Sequence, residues 1–156
     1  MGMYTEFVFG VSLLSTTPGN VLDILNYLVN SEEFNYKKEL PNHVFFKCDR
    51  YKAIATCSSY YFGCSESVSR FDYLPDSISK EYILSIRSNL KNYDNEIEKF
   101  VDWIRPYVSS GSGTNDLLGY KLYEESIVPY LFYKDEEFEK LVNKNINADS
   151  YIKELY

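Results

Sequence analysis

The sequence predicts an α+β fold: a mainly antiparallel sheet with two pseudo-repeated strand-helix units packed on one face, followed by a C-terminal helix. Three observations carry this. A strand-to-helix pattern occurs twice, about 75 residues apart, as Glu6 to Val11 followed by the stripe Val21, Ile24, Leu25, Leu28, and as Glu81 to Ile86 followed by Ile97, Phe100, Val101, Ile104. An aromatic one residue before the last stripe position recurs too, as Tyr27 and Trp103. The remaining runs of β-forming residues are joined by short turns, which suit antiparallel neighbours. Finally, 156 residues with 45% hydrophobic and 17% aromatic content fit one domain over residues 1–156, in which about 70% of the unfolded surface can be buried. The units span about 5–75 and 80–134, and the terminal helix 135–156.

The first strand, Thr5 to Leu13, puts Phe7, Phe9, Val11 and Leu13 on one face and Val8, Gly10 and Ser12 on the other. Thr17 as N-cap with Pro18 in the first helical position then starts a helix that runs to Asn30. Ser31 to Asn42 is polar and reads as a loop. Val44 to Cys48 and Tyr51 to Tyr60 read as a hairpin around Asp49-Arg50, and Val68 to Leu74 as a third strand broken by Pro75-Asp76-Ser77. The next strand, Glu81 to Asn89, sends Tyr82, Leu84 and Ile86 to one side and Ile83, Ser85, Arg87 and Asn89 to the other. Asn92-Tyr93-Asp94 opens a strongly amphipathic helix reaching Val108.

Ser109 to Thr114 is a Ser/Gly loop. Leu117 to Tyr123 and Val128 to Tyr133 form a second hairpin across Glu124-Glu125-Ser126, and Pro129 marks its returning strand as a sheet edge. Acids after Lys134 open the last helix, as the helix dipole favours, with Phe138, Leu141 and Val142 as its apolar patch.

Net charge is −7, with 6 basic against 9 acidic residues over 1–78 and 10 against 14 over 79–156. No basic run exists, which argues against direct nucleic-acid binding and against anionic membranes, and favours a basic protein partner. Tyr60, Tyr61, Phe62, Tyr120 and Tyr123 have the ring chemistry to stack bases, yet no clustered cations support them. Three cysteines without CxxC spacing and one histidine form neither a zinc site nor a disulfide framework. With no signal-peptide pattern and no apolar run near the ~20 residues of a membrane span, the expectation is a cytoplasmic protein. Met1-Gly2 ahead of Met3 reads as an expression scar.

Catalytic chemistry finds little. His43, beside Asn42, is the only base available to a cysteine nucleophile, and each cysteine reads more simply as a small buried group. The acid groups Glu32-Glu33, Glu124-Glu125 and Asp135-Glu136-Glu137 fit solvent-facing turns and a helix start. No catalytic residue, metal ligand or cofactor is assigned. The surplus of 16 tyrosines suits an interface, because each ring brings apolar area and a polar tip. Tyr120, Tyr123, Glu124 and Glu125 are the candidate interface, and Arg87, Asn89 and Tyr60 the candidate ligand face.

The strings Tyr4 to Leu13, Asn89 to Phe100 and Gly119 to Glu125 resemble a family of small acidic proteins, without assigned activity, carried by bacteriophages and bacterial mobile elements. That resemblance covers most of the chain and implies a context: a non-enzymatic inhibitor of a host defence protein, or an immunity-type inhibitor. The alternatives are a small-ligand-binding or sequestering protein and a structural, virion-associated homo-oligomer.

Overall fold

The computed structural model describes residues 3–31, 40–75, 81–111 and 116–148. The elements are β1 (Thr5–Leu13), α1 (Gly19–Asn30), two 3-10 turns (Val44–Lys47 and Tyr51–Ala53), β2 (Arg70–Leu74), β3 (Glu81–Leu90), α2 (Glu96–Ile104) running into a 3-10 turn (Arg105–Tyr107), β4 (Leu117–Tyr123), β5 (Tyr130–Tyr133) and α3 (Glu136–Ala148). These strands form one antiparallel sheet in the order β2-β3-β1-β4-β5.

The two repeated strands are neighbours at the centre of that sheet. β1 and β3 pair along their whole length, from Thr5↔Leu90 to Leu13↔Tyr82, so Phe7, Phe9 and Leu13 share a face with Leu84, Ile86 and Leu90. Both helical stripes cover this face: Val21, Ile24, Leu25 and Leu28 from α1 and Ile97, Phe100, Val101 and Ile104 from α2 join the same core cluster. Trp103 is buried and Tyr27 packs at the core margin, as the repeat predicts. The period-2 strands and period-3.6 helices thus bury the residues their patterns select. On the other face Gly10 and Ser85 are exposed and Ser12 and Ile83 half-buried.

Two local expectations are corrected. The hairpin expected over Val44 to Tyr60 is absent; its first half forms a string of 3-10 turns, held by Phe46 N–H to His43 O (3.1 Å), Cys48 N–H to Phe45 O (3.2 Å) and Ile54 N–H to Tyr51 O (3.2 Å). The aromatic run that reads as strand is consumed by packing instead. Phe45 is fully buried, stacked on Trp103 (6.1 Å) and edge-on to Phe100 (5.4 Å), and Phe46 meets Trp103 edge-on (4.9 Å). A short apolar run has no period long enough to separate the two outcomes.

The second correction concerns Thr17. Its hydroxyl does not cap α1 but donates to Leu14 O (2.6 Å), closing the turn out of β1, and Pro18 takes the N-cap position. The third strand is shorter than expected, starting at Arg70. Val68 nonetheless exchanges both backbone bonds with Arg87 (2.8 and 3.0 Å), so the ladder resumes beyond Ser69. The predicted breaks at Asp76-Ser77, most of the Ser31 to Asn42 loop, the second half of the Ser109 to Thr114 loop and the helix beyond Ala148 lie outside the described residues.

Both sheet edges are occupied by asparagine side chains. Asn143 of α3 takes the place of a sixth strand beside β5: its Oδ1 accepts Leu131 N–H (2.9 Å) and its Nδ2 donates to Leu131 O (2.8 Å). Asn30, the last residue of α1, donates to Phe71 O on β2 (3.2 Å). Such contacts protect the strand edges against pairing with another chain.

α3 is tied down by charge as well. Arg105, largely buried, reaches Glu136 (2.8 Å) and Glu139 (2.6 Å); Glu139 also accepts Tyr130 O–H (3.0 Å) and Tyr133 N–H (2.9 Å). Burial first, then the Glu139 charge and hydrogen bond, push the Tyr130 phenol up to about 12.

Candidate functional site

The sheet end at Thr5, Leu90 and Tyr123 gathers the exposed aromatics other than Tyr73. The β1–β4 ladder continues past Thr5↔Tyr123, with Glu124 N–H donating to Tyr4 O (3.0 Å), so the acidic turn after β4 is fixed to the start of β1. Opposite it stands the segment 57–66, which includes the end of the expected hairpin. Asn89, fully buried at the end of β3, holds this loop at two points, donating its N–H to Cys57 O (3.0 Å) and its Nδ2 to Cys64 O (3.2 Å). Ser59 N–H to Ser65 O (3.0 Å) closes the loop on itself. Tyr61 O–H to Glu124 O (2.7 Å) joins loop to turn.

The result is a rigid display. Tyr60 is 94% exposed, Tyr93 65%, Tyr61 58% and Tyr123 39%. Large apolar groups held in water without an internal role mark contact surfaces when they cluster. Two clefts open here. One, of about 590 Å³, lies among Met3, Tyr4, Ser58, Tyr60, Tyr61 and Glu124. The other, of about 460 Å³, has Lys91, Lys121, Tyr93, Tyr123 and Ser126 in its walls. Lys121 is paired with Glu98, whereas half-buried Lys91 has no carboxylate partner among the described residues. Partial burial, then the charges of Glu125 and Glu124, raise the Tyr123 phenol above its ordinary value. Its hydroxyl meets Met3 Sδ.

The structure redistributes the residues singled out from the sequence. Tyr123, Glu124 and Glu125 stand together at the turn, but Tyr120, three positions earlier, points to the opposite sheet face. There its hydroxyl donates to Glu6 (3.0 Å), which also pairs with Arg87 (3.5 Å). Burial and then Glu6 raise the Tyr120 phenol. Arg87 and Asn89 therefore join Tyr120, and Tyr60 joins the turn instead. This second cluster is mostly internally bonded, with Arg87 Nε and Asn89 Oδ1 left as buried atoms without partners. The structure adds Tyr4 and Met3 to the turn, neither of which the sequence reading singles out, and Tyr61, which that reading names only among the aromatics able to stack bases. The Tyr60-Tyr61-Phe62-Gly63 string, flanked by serines and cysteines, is the available signal of a display loop.

Other candidate groups have structural roles. His43 accepts Phe45 N–H at Nδ1 (3.1 Å), which leaves the proton on Nε2 to be donated to Asp102 (2.9 Å). Both ring nitrogens are thereby engaged, neither by a cysteine. The three thiols are free, and burial pushes those of Cys48 and Cys57 up, away from the reactive thiolate. Asp135 caps α3 by accepting Phe138 N–H (2.9 Å), and Glu136 binds Arg105. Glu32-Glu33 lies outside the described residues. Among the described residues no group of three or more His, Cys, Asp or Glu could hold a metal ion, and no helix is long and apolar enough to cross a membrane.

The chain matches no protein-family model, no curated protein sequence and no solved structure. Its fold class is α+β, with an antiparallel five-stranded sheet and three helices among the described residues.

Proposed function

We propose that this chain is a non-enzymatic binding module that docks on a basic protein through its β4–β5 end. The resemblance to phage-borne and mobile-element proteins makes an inhibitor of a host defence protein, or an immunity-type inhibitor, the natural role. One observation carries the reading: Tyr60, Tyr61, Tyr93 and Tyr123 converge, exposed, beside Glu124 and Glu125 on a backbone pinned by hydrogen bonds. Rigid tyrosines supply contact area at low entropic cost, and acids steer a basic partner. Since Tyr120 lies on the other face, it is not part of this surface.

The test is a quantitative pull-down from a bacterial lysate with the wild-type chain and a Tyr60→Ala/Tyr123→Ala variant. A basic protein retained at about 1:1, released as salt rises and lost from the variant, supports the reading. Equal retention by the variant refutes it. A small-ligand reading has one observation in its favour, Lys91, which has no carboxylate partner among the described residues and stands beside tyrosine and serine hydroxyls. An anionic small molecule extracted from the purified chain, without protein, would favour that reading.

A further inference from the structure

We propose that the cleft between Tyr4 and the 58–61 loop is a receptor for a single cationic side chain, a lysine or an arginine of the partner. This rests on the docking surface above and names the chemistry of one contact within it. The two clefts at this end of the sheet differ in sign. Lys91 and Lys121 line one, whereas no lysine, arginine or histidine lines the other; its titratable groups are three phenols and Glu124. Glu124 makes no ion pair among the described residues, and the chain as a whole carries −7. A cleft walled by aromatic rings and bordered by an acidic residue attracts a cation twice over, through the ring quadrupole and through the nearby negative charge.

The chain already uses this chemistry on itself. Lys91 Nζ lies 5.9 Å from the centre of the Tyr4 ring, Lys52 Nζ 6.0 Å from Tyr27 and Lys121 Nζ 5.3 Å from Tyr130. Tyr4 is also a wall of the second cleft, so Lys91 already lies over one of its three rings and the incoming side chain would meet those of Tyr60 and Tyr61. The walls are preorganised, because Glu124 N–H is bound to Tyr4 O, Tyr61 O–H to Glu124 O and Tyr61 N–H to Ser59 Oγ (3.1 Å). Ordering these groups therefore adds little to the cost of binding. A volume of about 590 Å³ admits an alkylammonium or guanidinium side chain with its stem against the rings.

The experiment is an NMR titration of the isotope-labelled full chain with choline, compared with 3,3-dimethylbutan-1-ol, which has the same shape and no charge. We expect millimolar choline binding that moves the amides of Tyr4 and Ser58 to Tyr61, with the neutral isostere at least about 5-fold weaker. Tyr60→Leu and Glu124→Gln should each weaken choline by about 3- to 10-fold. Their folding can be checked by the fluorescence of Trp103. Equal binding of choline and the isostere overturns the proposal, as do shifts confined to the Lys91 cleft or an absence of shifts. If choline fails while the tyrosine variant still loses the partner, the cation receptor is wrong and the docking surface stands. If choline binds while the variant keeps its partner, the docking surface fails, and assigning the cation to that partner fails with it.

Discussion

Gly119 is the position where one methyl group should do the most damage. A β-carbon built there would stand 2.0 Å from Val8 O and 2.8 Å from Phe9 Cα, both backbone atoms of the central strand β1. Neither can step aside, because β1 is hydrogen-bonded to β3 along its other edge over nine residue pairs. Gly119→Ala must therefore push β4 outward at the Phe9↔Gly119 end of their ladder, where the β4–β5 register also shifts. Overpacking of this kind costs about 1–3 kcal/mol, and each backbone bond lost adds about 1 kcal/mol. Against this stands a gain of about 0.5–1 kcal/mol from a less flexible unfolded chain. With one such bond lost, the net expectation is a loss of about 1–3.5 kcal/mol, a large part of the 5–15 kcal/mol typical of a domain. Gly10→Ala is the control, since nothing lies within 4 Å of its β-carbon and it sits on the exposed sheet face. Urea unfolding followed by Trp103, the single tryptophan and buried among Phe45, Phe46 and Phe100, measures both. A loss below about 1 kcal/mol for Gly119→Ala, or equal losses for the two glycines, would show that the close approach of β4 to β1 is not what demands glycine.

Asn143→Ala leaves Leu131 N–H and C=O without their partners and uncovers the β5 edge; a loss of about 2 kcal/mol and concentration-dependent association in ultracentrifugation are expected, and an unchanged monomeric protein would contradict the edge-covering role. Tyr130 carries a pH prediction. Its phenol is raised to about 12 in the folded chain against 10 unfolded, so the stabilisation it contributes is complete below pH 10 and is lost as pH rises through about 12. Wild type should lose about 1 kcal/mol more than Tyr130→Phe between pH 10 and 12 in chemical unfolding, and parallel profiles would show that burial beside Glu139 does not hold the phenol up.

The architecture is legible in the sequence wherever a pattern runs long enough to be periodic. Nine residues of β1, ten of β3 and the two helical stripes specify which face meets which, and their agreement makes the repeat visible in the order of residues alone. Val44 to Tyr60 is not legible for the same reason. Phe45 and Phe46 are adjacent and both pack against Trp103, an arrangement that the alternating faces of a strand disfavour and a 3-10 turn permits. Thr17 shows a different limit: its hydroxyl can serve the helix or the preceding turn, and residue type does not choose between them. Within the candidate site, Tyr123, Glu124 and Glu125 are neighbours in the chain and stay together in the fold. Tyr120 can be separated from them by counting, because an odd spacing along a strand reverses the face. Tyr60 cannot be placed that way, since its position depends on the long-range bonds of Asn89 and Tyr61.

The distribution of bonds across the molecule keeps the proposed contact surface apart from the elements that hold the fold. The helix-covered face contains the core, the Arg105 tie and the asparagines that cover both sheet edges. The β4–β5 end contains one fully buried support, Asn89, the hydroxyl contacts of Tyr61, Tyr93 and Tyr123, and the unsupported ring of Tyr60. Tyr60, at 94% exposure, contributes almost nothing to folding that leucine or alanine would not, so its substitution tests binding without testing stability. Asn89 is the opposite case: it has no exposed surface, yet its two bonds to Cys57 O and Cys64 O position the loop that carries Tyr60 and Tyr61. Asn89→Leu deletes the Nδ2 bond to Cys64 O and keeps the backbone N–H bond to Cys57 O; it should therefore weaken partner capture without touching the partner, and amide exchange around Cys64 should rise while the α1 and α2 cores stay protected. Unchanged exchange in that loop would mean that the backbone bond of residue 89 to Cys57 O, the Ser59–Ser65 closure and the Tyr61–Glu124 bond suffice to hold the display without the Asn89 side chain.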